Sequence, residues 1–305
     1  MIYTCTLNPS IDYKIGANEL HIGKLNRPET TAFYPGGKGI NVSLVLKNLG
    51  IDSIALGFVG GFTGEFLKDC LKKRGVLFDF IEHNEPTRIN VKIKTNLEET
   101  EINGNGVYIS KEAEDAFLLK INSLTKNDYL IISGSIPSSV SDHTYEEIAA
   151  ICKKREVPFI ADISESSLLD LLKYRPFLIK PNQYELGELL GIEIHSKEEA
   201  IKAGKELLGR GAENVIVSMG GNGAIFINHE IMAYAKVPKG DVRSSVGAGD
   251  STVAGFLASY LNNKDVIAAF RYGAASGTAT AFSMDLCQQD EVESILPKIE
   301  IDIIH

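Results

Sequence analysis

The sequence predicts an α/β protein, a parallel sheet flanked by helices with a small second β-sheet, and three observations carry that expectation. Short β-branched or apolar runs alternate with amphipathic stretches of ten or more residues. Four of those runs end in small polar motifs. Two further segments alternate polar and apolar residues cleanly, unlike the rest.

The clearest strands are YLIIS (129–133), PFIADI (158–163), PFLIK (176–180) and NVIVS (214–218). Helical patterns separate them, one opened by a capping box at Thr144 and Glu147 and another by one at Ser196 and Glu199. Their carboxyl ends run into SGSIP (133–137), DIS (162–164), KPN (180–182) and SMGGNG (218–223). Open α/β sheets bind ligands outside the carboxyl ends of their strands, so these motifs predict one shared crevice. Simple turn-making explains any one of them well and the set poorly.

SIDYKI (10–15) sets Ile11, Tyr13 and Ile15 on one face, and TRINVKIKT (87–95) does the same with Ile89, Val91 and Ile93. Asp12 and Lys14, and Arg88, Asn90, Lys92 and Lys94, lie on the opposite faces. Half-polar antiparallel strands of this kind predict a lid over the crevice, formed by about 10–34 and 86–109 inserted into a single domain spanning 1–305. An apolar face exposed on the lid strands would support a lid-to-lid homodimer.

The 305 residues are 44% hydrophobic and 23% charged, which suits one large well-cored domain. A net charge of −9 without a basic block argues against nucleic acid as a partner. There is no charged leader before a long apolar run and no stretch of membrane-spanning length, so a cytoplasmic location is expected. Cys5, Cys70, Cys152 and Cys287 lie far apart, as buried reduced thiols would, and H-E-x-x-H is absent.

PGGKGINVSLVLKNLG (35–50) leads through glycines and Lys38 into a helix closed by Gly50. Lys38 precedes Gly39 rather than Ser or Thr, so this is not a P-loop. Its glycines admit a phosphate or sugar to backbone N–H groups, or make a plain strand-to-helix turn. In GAGD (247–250) the third glycine of a dinucleotide fingerprint would fall on Thr252, which removes support for a nicotinamide enzyme. What remains is a run of amides at a helix start, able to hold a transferring phosphoryl group, with Asp250 beside it. Asp250 is then either a base for an attacking hydroxyl or an ordinary helix-end acid, and the helix start is expected to favour its ionised form. SMGGNGA (218–224) suits nucleotide phosphates or a tight hairpin turn. Asn182 and Glu185, three apart, are hard donors near which magnesium could sit, or simply a helix cap.

Together these motifs closely resemble the ribokinase-like (PfkB-type) carbohydrate kinases, across essentially the whole chain, through TLNPSIDY, FYPGGKGINVSLVLKNLG, GFVGGFTGEF, TRINVKIK, SGSIP, IKPNQYELGELLG, VSMGGNGA and SVGAGDSTVAGF. The resemblance implies a ribokinase-like parallel-sheet core with a β lid, ATP as cosubstrate and Mg2+. By it Asp250 matches the catalytic base, and Gly247, Ala248 and Gly249 the anion hole. Lys180, Asn182, Ser218, Gly220, Gly221 and Gly223 match the nucleotide site, with Asn182 and Glu185 holding the metal indirectly and GAASGTATAF (273–282) lining the adenine. Asp12, Gly37, Lys38, Asn41, Arg88, Asn90 and Ser135 match the sugar site. Lys38 and Arg88, with Arg27 behind them, are the cations for a phosphate already on the substrate. The branch resembled phosphorylates fructose 1-phosphate at its C6 hydroxyl to fructose 1,6-bisphosphate. Tagatose 6-phosphate or fructose 6-phosphate is the alternative acceptor, and a non-catalytic phosphosugar or nucleotide sensor the remote one. Glu165 departs from the glycine that many relatives carry after DIS.

Overall fold

In YLIIS, Leu130 and Ile132 enter one apolar layer while Ile131 enters the other, and all three are fully buried. A strand covered on both faces needs apolar residues at every position, and that is why these runs do not alternate. The structure, a computed structural model, describes residues 1–163 and 167–304.

The chain begins with β1 (Ile2–Thr6), β2 (Ser10–Gly16), β3 (Thr30–Gly36), α1 (Lys38–Asn48), β4 (Ser53–Gly60), α2 (Gly61–Lys73), β5 (Leu77–Phe78), β6 (Ile81–His83), β7 (Arg88–Lys94) and β8 (Glu99–Ile102). It continues with α3 (Lys111–Asn122), β9 (Tyr129–Ser133), α4 (Thr144–Arg155), β10 (Phe159–Asp162), α5 (Ser167–Leu171), β11 (Leu178–Ile179), α6 (Gln183–Leu190), α7 (Lys197–Gly209) and β12 (Asn214–Ser218). It closes with β13 (Ala224–Asn228), β14 (Met232–Lys236), α8 (Ala248–Asn263), α9 (Val266–Phe282), α10 (Gln289–Ile295) and β15 (Glu300–Ile304).

Among the described residues the main sheet runs β15-β14-β13-β12-β11-β10-β9-β1-β4-β5, with β6 also against β4. From β12 to β5 every pairing is parallel, and β13 to β15 extend it antiparallel. Side chains of α1, α2, α8, α9 and α10 build the core on one face, and those of α3 to α7 build it on the other. This is the ribokinase-like arrangement, a mixed α/β core with a second small sheet. The four expected strands are neighbours and parallel, so their carboxyl ends share one edge.

The box expected at Ser196 and Glu199 forms. The one expected at Thr144 and Glu147 does not: Thr144 lies inside α4 and its hydroxyl donates to the buried Glu114 Oε1 at 2.7 Å. Tertiary contact with α3 has claimed the capping side chain.

The second sheet has the order β3-β2-β7-β8. β2 and β7 pair in parallel, contrary to the antiparallel expectation, because α1, β4 and α2 intervene and return the chain in the same direction. Each has its own antiparallel partner, β3 for β2 and β8 for β7. Ser10 stands beside Arg88 and Asp12 beside Asn90, on one face. The other face carries Tyr13 stacked on Phe33 at 4.5 Å, together with Ile89 and Ile102, and Phe33 and Ile102 are more than half exposed.

Candidate active site

Two helix starts meet over the carboxyl ends of the parallel strands. At α1 the cap is Gly37, with φ 118°, and a Cβ on Gly39 would come within 2.4 Å of Thr6 Oγ1 and 3.1 Å of Cys5 O. Only glycine lets this helix begin directly on the end of β1. At α8 the cap is Gly247, with φ 80°, and Asp250 is the helix's third residue. A Cβ on Gly249 would lie 2.9 Å from Lys180 Nζ, so the ammonium is tucked against the first turn. The Ala248 N–H donates weakly to Ser245 O at 3.3 Å, and the next first-turn amides, of Gly249 and Asp250, have no partner within the helix.

Asp250 is buried, and its Oδ2 accepts from Asn41 Nδ2 at 2.8 Å. Burial pushes its carboxyl up to about 6, Asp162 adds to the rise, and the Asn41 bond, Lys38 and Lys180 hold it back. This corrects the expectation that the helix start favours the ionised form: desolvation and a like charge outweigh it. Lys180 is buried as well. Burial pulls its ammonium down, but Asp162, Glu185 and Asp250 outweigh that and keep it above the ordinary lysine value. Asp162 lies 3.3 Å from Lys180 Nζ and 3.9 Å from Lys38 Nζ.

The second sheet brings its polar face to the same place. Asn90 Nδ2 donates to Ser10 Oγ and to Asp12 Oδ1, each at 3.0 Å, and Lys92 pairs with Asp12 Oδ2 at 3.3 Å. Asp12 and Asn41 line one recess between this sheet and the helix starts. Arg88 donates through Nη2 to Asn8 O at 2.9 Å and through Nη1 to Gly104 O at 3.2 Å, while its buried Nε has no partner among the described residues. Ser135 Oγ accepts from Asn8 Nδ2 at 3.4 Å. Arg27 is exposed in the connection between β2 and β3.

Further along the sheet edge, Asn182 and Glu185 form a reciprocal capping box on α6. Asn182 Oδ1 accepts from the Tyr184 and Glu185 amides, and Glu185 Oε2 from the Asn182 amide. Ser218 bridges in parallel to Asn182. Gly220, with φ 56°, and Gly221 face open space, and Gly223 turns the chain from β12 into the antiparallel β13. Residues 273–280 are buried in α9, where a Cβ on Gly277 would meet Thr252 Oγ1 at 2.3 Å. The small residues of that stretch let α9 pack closely on α8. Glu165 lies outside the described residues.

Two residues escaped the reading of the sequence: Asp162, visible only as the acid of DIS at a strand end, and Lys92, one of several lysines on a polar face. Neither pattern distinguishes a site residue from a surface charge.

A parallel sheet edge, two glycine-started helices and a half-polar second sheet define a ribokinase-like kinase fold. The profile of the pfkB family carbohydrate kinases matches residues 6–291, and the chain belongs to that family. The 1-phosphofructokinase of Bacillus subtilis is 50% identical, with 99% of each chain covered. A D-tagatose-1-phosphate kinase of Bacillus licheniformis is 38% identical, again with 99% of each covered. The crystal structure of Escherichia coli phosphofructokinase-2 in complex with substrates and products superposes with a TM-score of 0.92 at 29% identity, covering 97% of this chain and 98% of that one. Among the described residues no helix is long and apolar enough to cross a membrane.

Proposed function

We propose that this carbohydrate kinase transfers the γ-phosphoryl group of ATP to the C6 hydroxyl of fructose 1-phosphate, giving fructose 1,6-bisphosphate. The observation that carries the chemistry is the buried carboxyl of Asp250, aimed by Asn41 and set in the first turn of α8 between Lys38 and Lys180. The whole-length identity to a 1-phosphofructokinase supports the acceptor.

Asp250 orients the C6 hydroxyl and takes its proton as the O–P bond forms. A pKa near 6 leaves it ionised at neutral pH, yet basic enough to accept that proton. Phosphoryl transfer passes through a loose transition state, so positioning and charge carry most of the acceleration. The Gly249 and Asp250 amides face the transferring group, Lys180 supplies positive charge beside them, and the 218–223 turn receives the nucleotide. Asp12 and Asn90 hold sugar hydroxyls. Lys38 and the unpartnered Nε of Arg88 are the donors for the C1 phosphate.

Magnesium needs few protein ligands and keeps several waters. Among the described residues no group of three or more His, Cys, Asp or Glu gathers that could hold a metal ion. Glu185, close enough to act on Lys180 and engaged through one oxygen in the helix cap, fits a water-mediated hold, as does Asn182. Bound with the ATP phosphates, magnesium supplies charge neutralisation of the transferring group.

The second sheet acts as a lid that excludes water, and its apolar outer face fits a second copy of this chain. The 38% identical tagatose-1-phosphate enzyme favours a second reading, in which D-tagatose 1-phosphate is the preferred acceptor. Relative kcat/KM for fructose 1-phosphate, tagatose 1-phosphate, tagatose 6-phosphate and fructose 6-phosphate decides between them. Preference for fructose 1-phosphate is expected, and preference for either 6-phosphate would overturn the assignment.

A further inference from the structure

We propose that Asp162 is a positioning residue for phosphoryl transfer, holding Lys180 and Lys38 on either side of the point where Asp250 meets the substrate. This rests on the reading of Asp250 as the base.

β10 ends at Asp162, in register with Ser133 at the end of β9. A single oxygen, Oδ1, faces Lys180 Nζ at 3.3 Å and Lys38 Nζ at 3.9 Å. One lysine comes from the KPN turn on the nucleotide side, the other from the GGKG turn on the acceptor side. The carboxylate thus links the two halves of the site from beneath.

Its burial argues against a structural explanation. Asp162 is 3% exposed, and its Oδ2 has no hydrogen-bond partner among the described residues. Ser133 Oγ and Thr6 Oγ1, at the neighbouring strand ends, share that condition. A buried carboxylate bonded through one oxygen only is a poor contributor to stability, and an apolar residue of similar volume would suit such a place better. What the charge does achieve is local: it keeps the Lys180 ammonium against Gly249, in the first turn of α8, where the transferring group is held.

The test compares wild type with Asp162→Asn, Asp162→Glu and Lys180→Met. The charged and polar groups facing Asp250 are Lys38 and Asn41 from α1, Asp162 from β10, and Lys180 beyond β11. Removing the positive neighbour moves the acidic limb of the kcat profile to higher pH in Lys180→Met. Asp162→Asn removes a negative charge and releases the lysines it holds, which act on Asp250 in opposite directions, so its readout is the affinity for ATP. In Asp162→Asn the KM for ATP rises on the order of tenfold, the worth of a hydrogen bond to a charged group, and Asp162→Glu restores part of it. A residue that merely supports the fold lowers kcat and leaves the KM for ATP in place, so an unchanged KM for ATP in Asp162→Asn overturns the proposal. If wild type phosphorylates no sugar phosphate, the reading of Asp250 has failed instead. ATP binding by calorimetry then still decides on Asp162, and undiminished affinity in Asp162→Asn overturns its role.

Discussion

Asn41 and Asp250, 209 positions apart in the chain, meet at 2.8 Å, the amide of one donating to the carboxylate of the other. The bond joins the start of α1 to the start of α8, so the turn that presents Lys38 and the turn that presents Asp250 are set as one unit. Asn41→Ala removes a bond that holds the Asp250 carboxyl down. The acidic limb of the kcat profile therefore moves to higher pH, by up to about two units for a bond to a charged group. A pH–rate profile reads the shift, and a limb that stays in place would show that the bond does not act on a carboxyl that governs turnover.

Asp250 also makes stability depend on pH. Its carboxyl is raised from 3.8 to about 6 in the folded protein, so the native state keeps a proton that the unfolded chain has released. The associated stability is fully present below about 4, falls as pH rises toward about 6, and is absent above. Asp250→Asn preserves the shape without the charge, so it is the more stable protein at pH 8, by at most ~3 kcal/mol. The difference shrinks below pH 4. Urea midpoints at the two pH values measure this, and equal midpoints throughout would contradict it.

Gly39→Ala places a methyl 2.4 Å from Thr6 Oγ1 and 3.1 Å from the Cys5 carbonyl. The hydroxyl can rotate away but the carbonyl cannot, so α1 must lift from β1. A destabilisation of about 1–3 kcal/mol is expected, with a raised KM for the sugar phosphate because Lys38 and Asn41 move with the helix. Denaturant unfolding and steady-state kinetics check both parts, and a neutral substitution would show that the contact is slack.

The apolar outer face of the second sheet gives a separate prediction. Phe33 is 53% exposed although it stacks on Tyr13, and Ile102 is 59% exposed. If this face covers a second copy, Phe33→Asp halves the mass measured by light scattering on a sizing column. An unchanged mass places any association elsewhere.

Much of the layout was legible because the physics behind it is local. The parallel core was visible in runs such as YLIIS, apolar throughout since both faces are covered, and Asp250 was visible because glycines and an apolar helix period frame it. Three features were not legible, each decided by partners distant in sequence. The parallel pairing of β2 with β7 depends on the crossover through α1 and α2. The missing box at Thr144 depends on Glu114 in another helix. The raised carboxyl of Asp250 depends on burial and on Asp162, and nothing near GAGD announces either.

Whether Asp250 is the base of a fructose 1-phosphate kinase is read from ADP release by wild type and Asp250→Asn with fructose 1-phosphate as acceptor. Rapid turnover by wild type is expected, with a loss of about 10²–10⁴-fold in kcat for the variant and ATP binding retained. Turnover by Asp250→Asn close to that of wild type would contradict it.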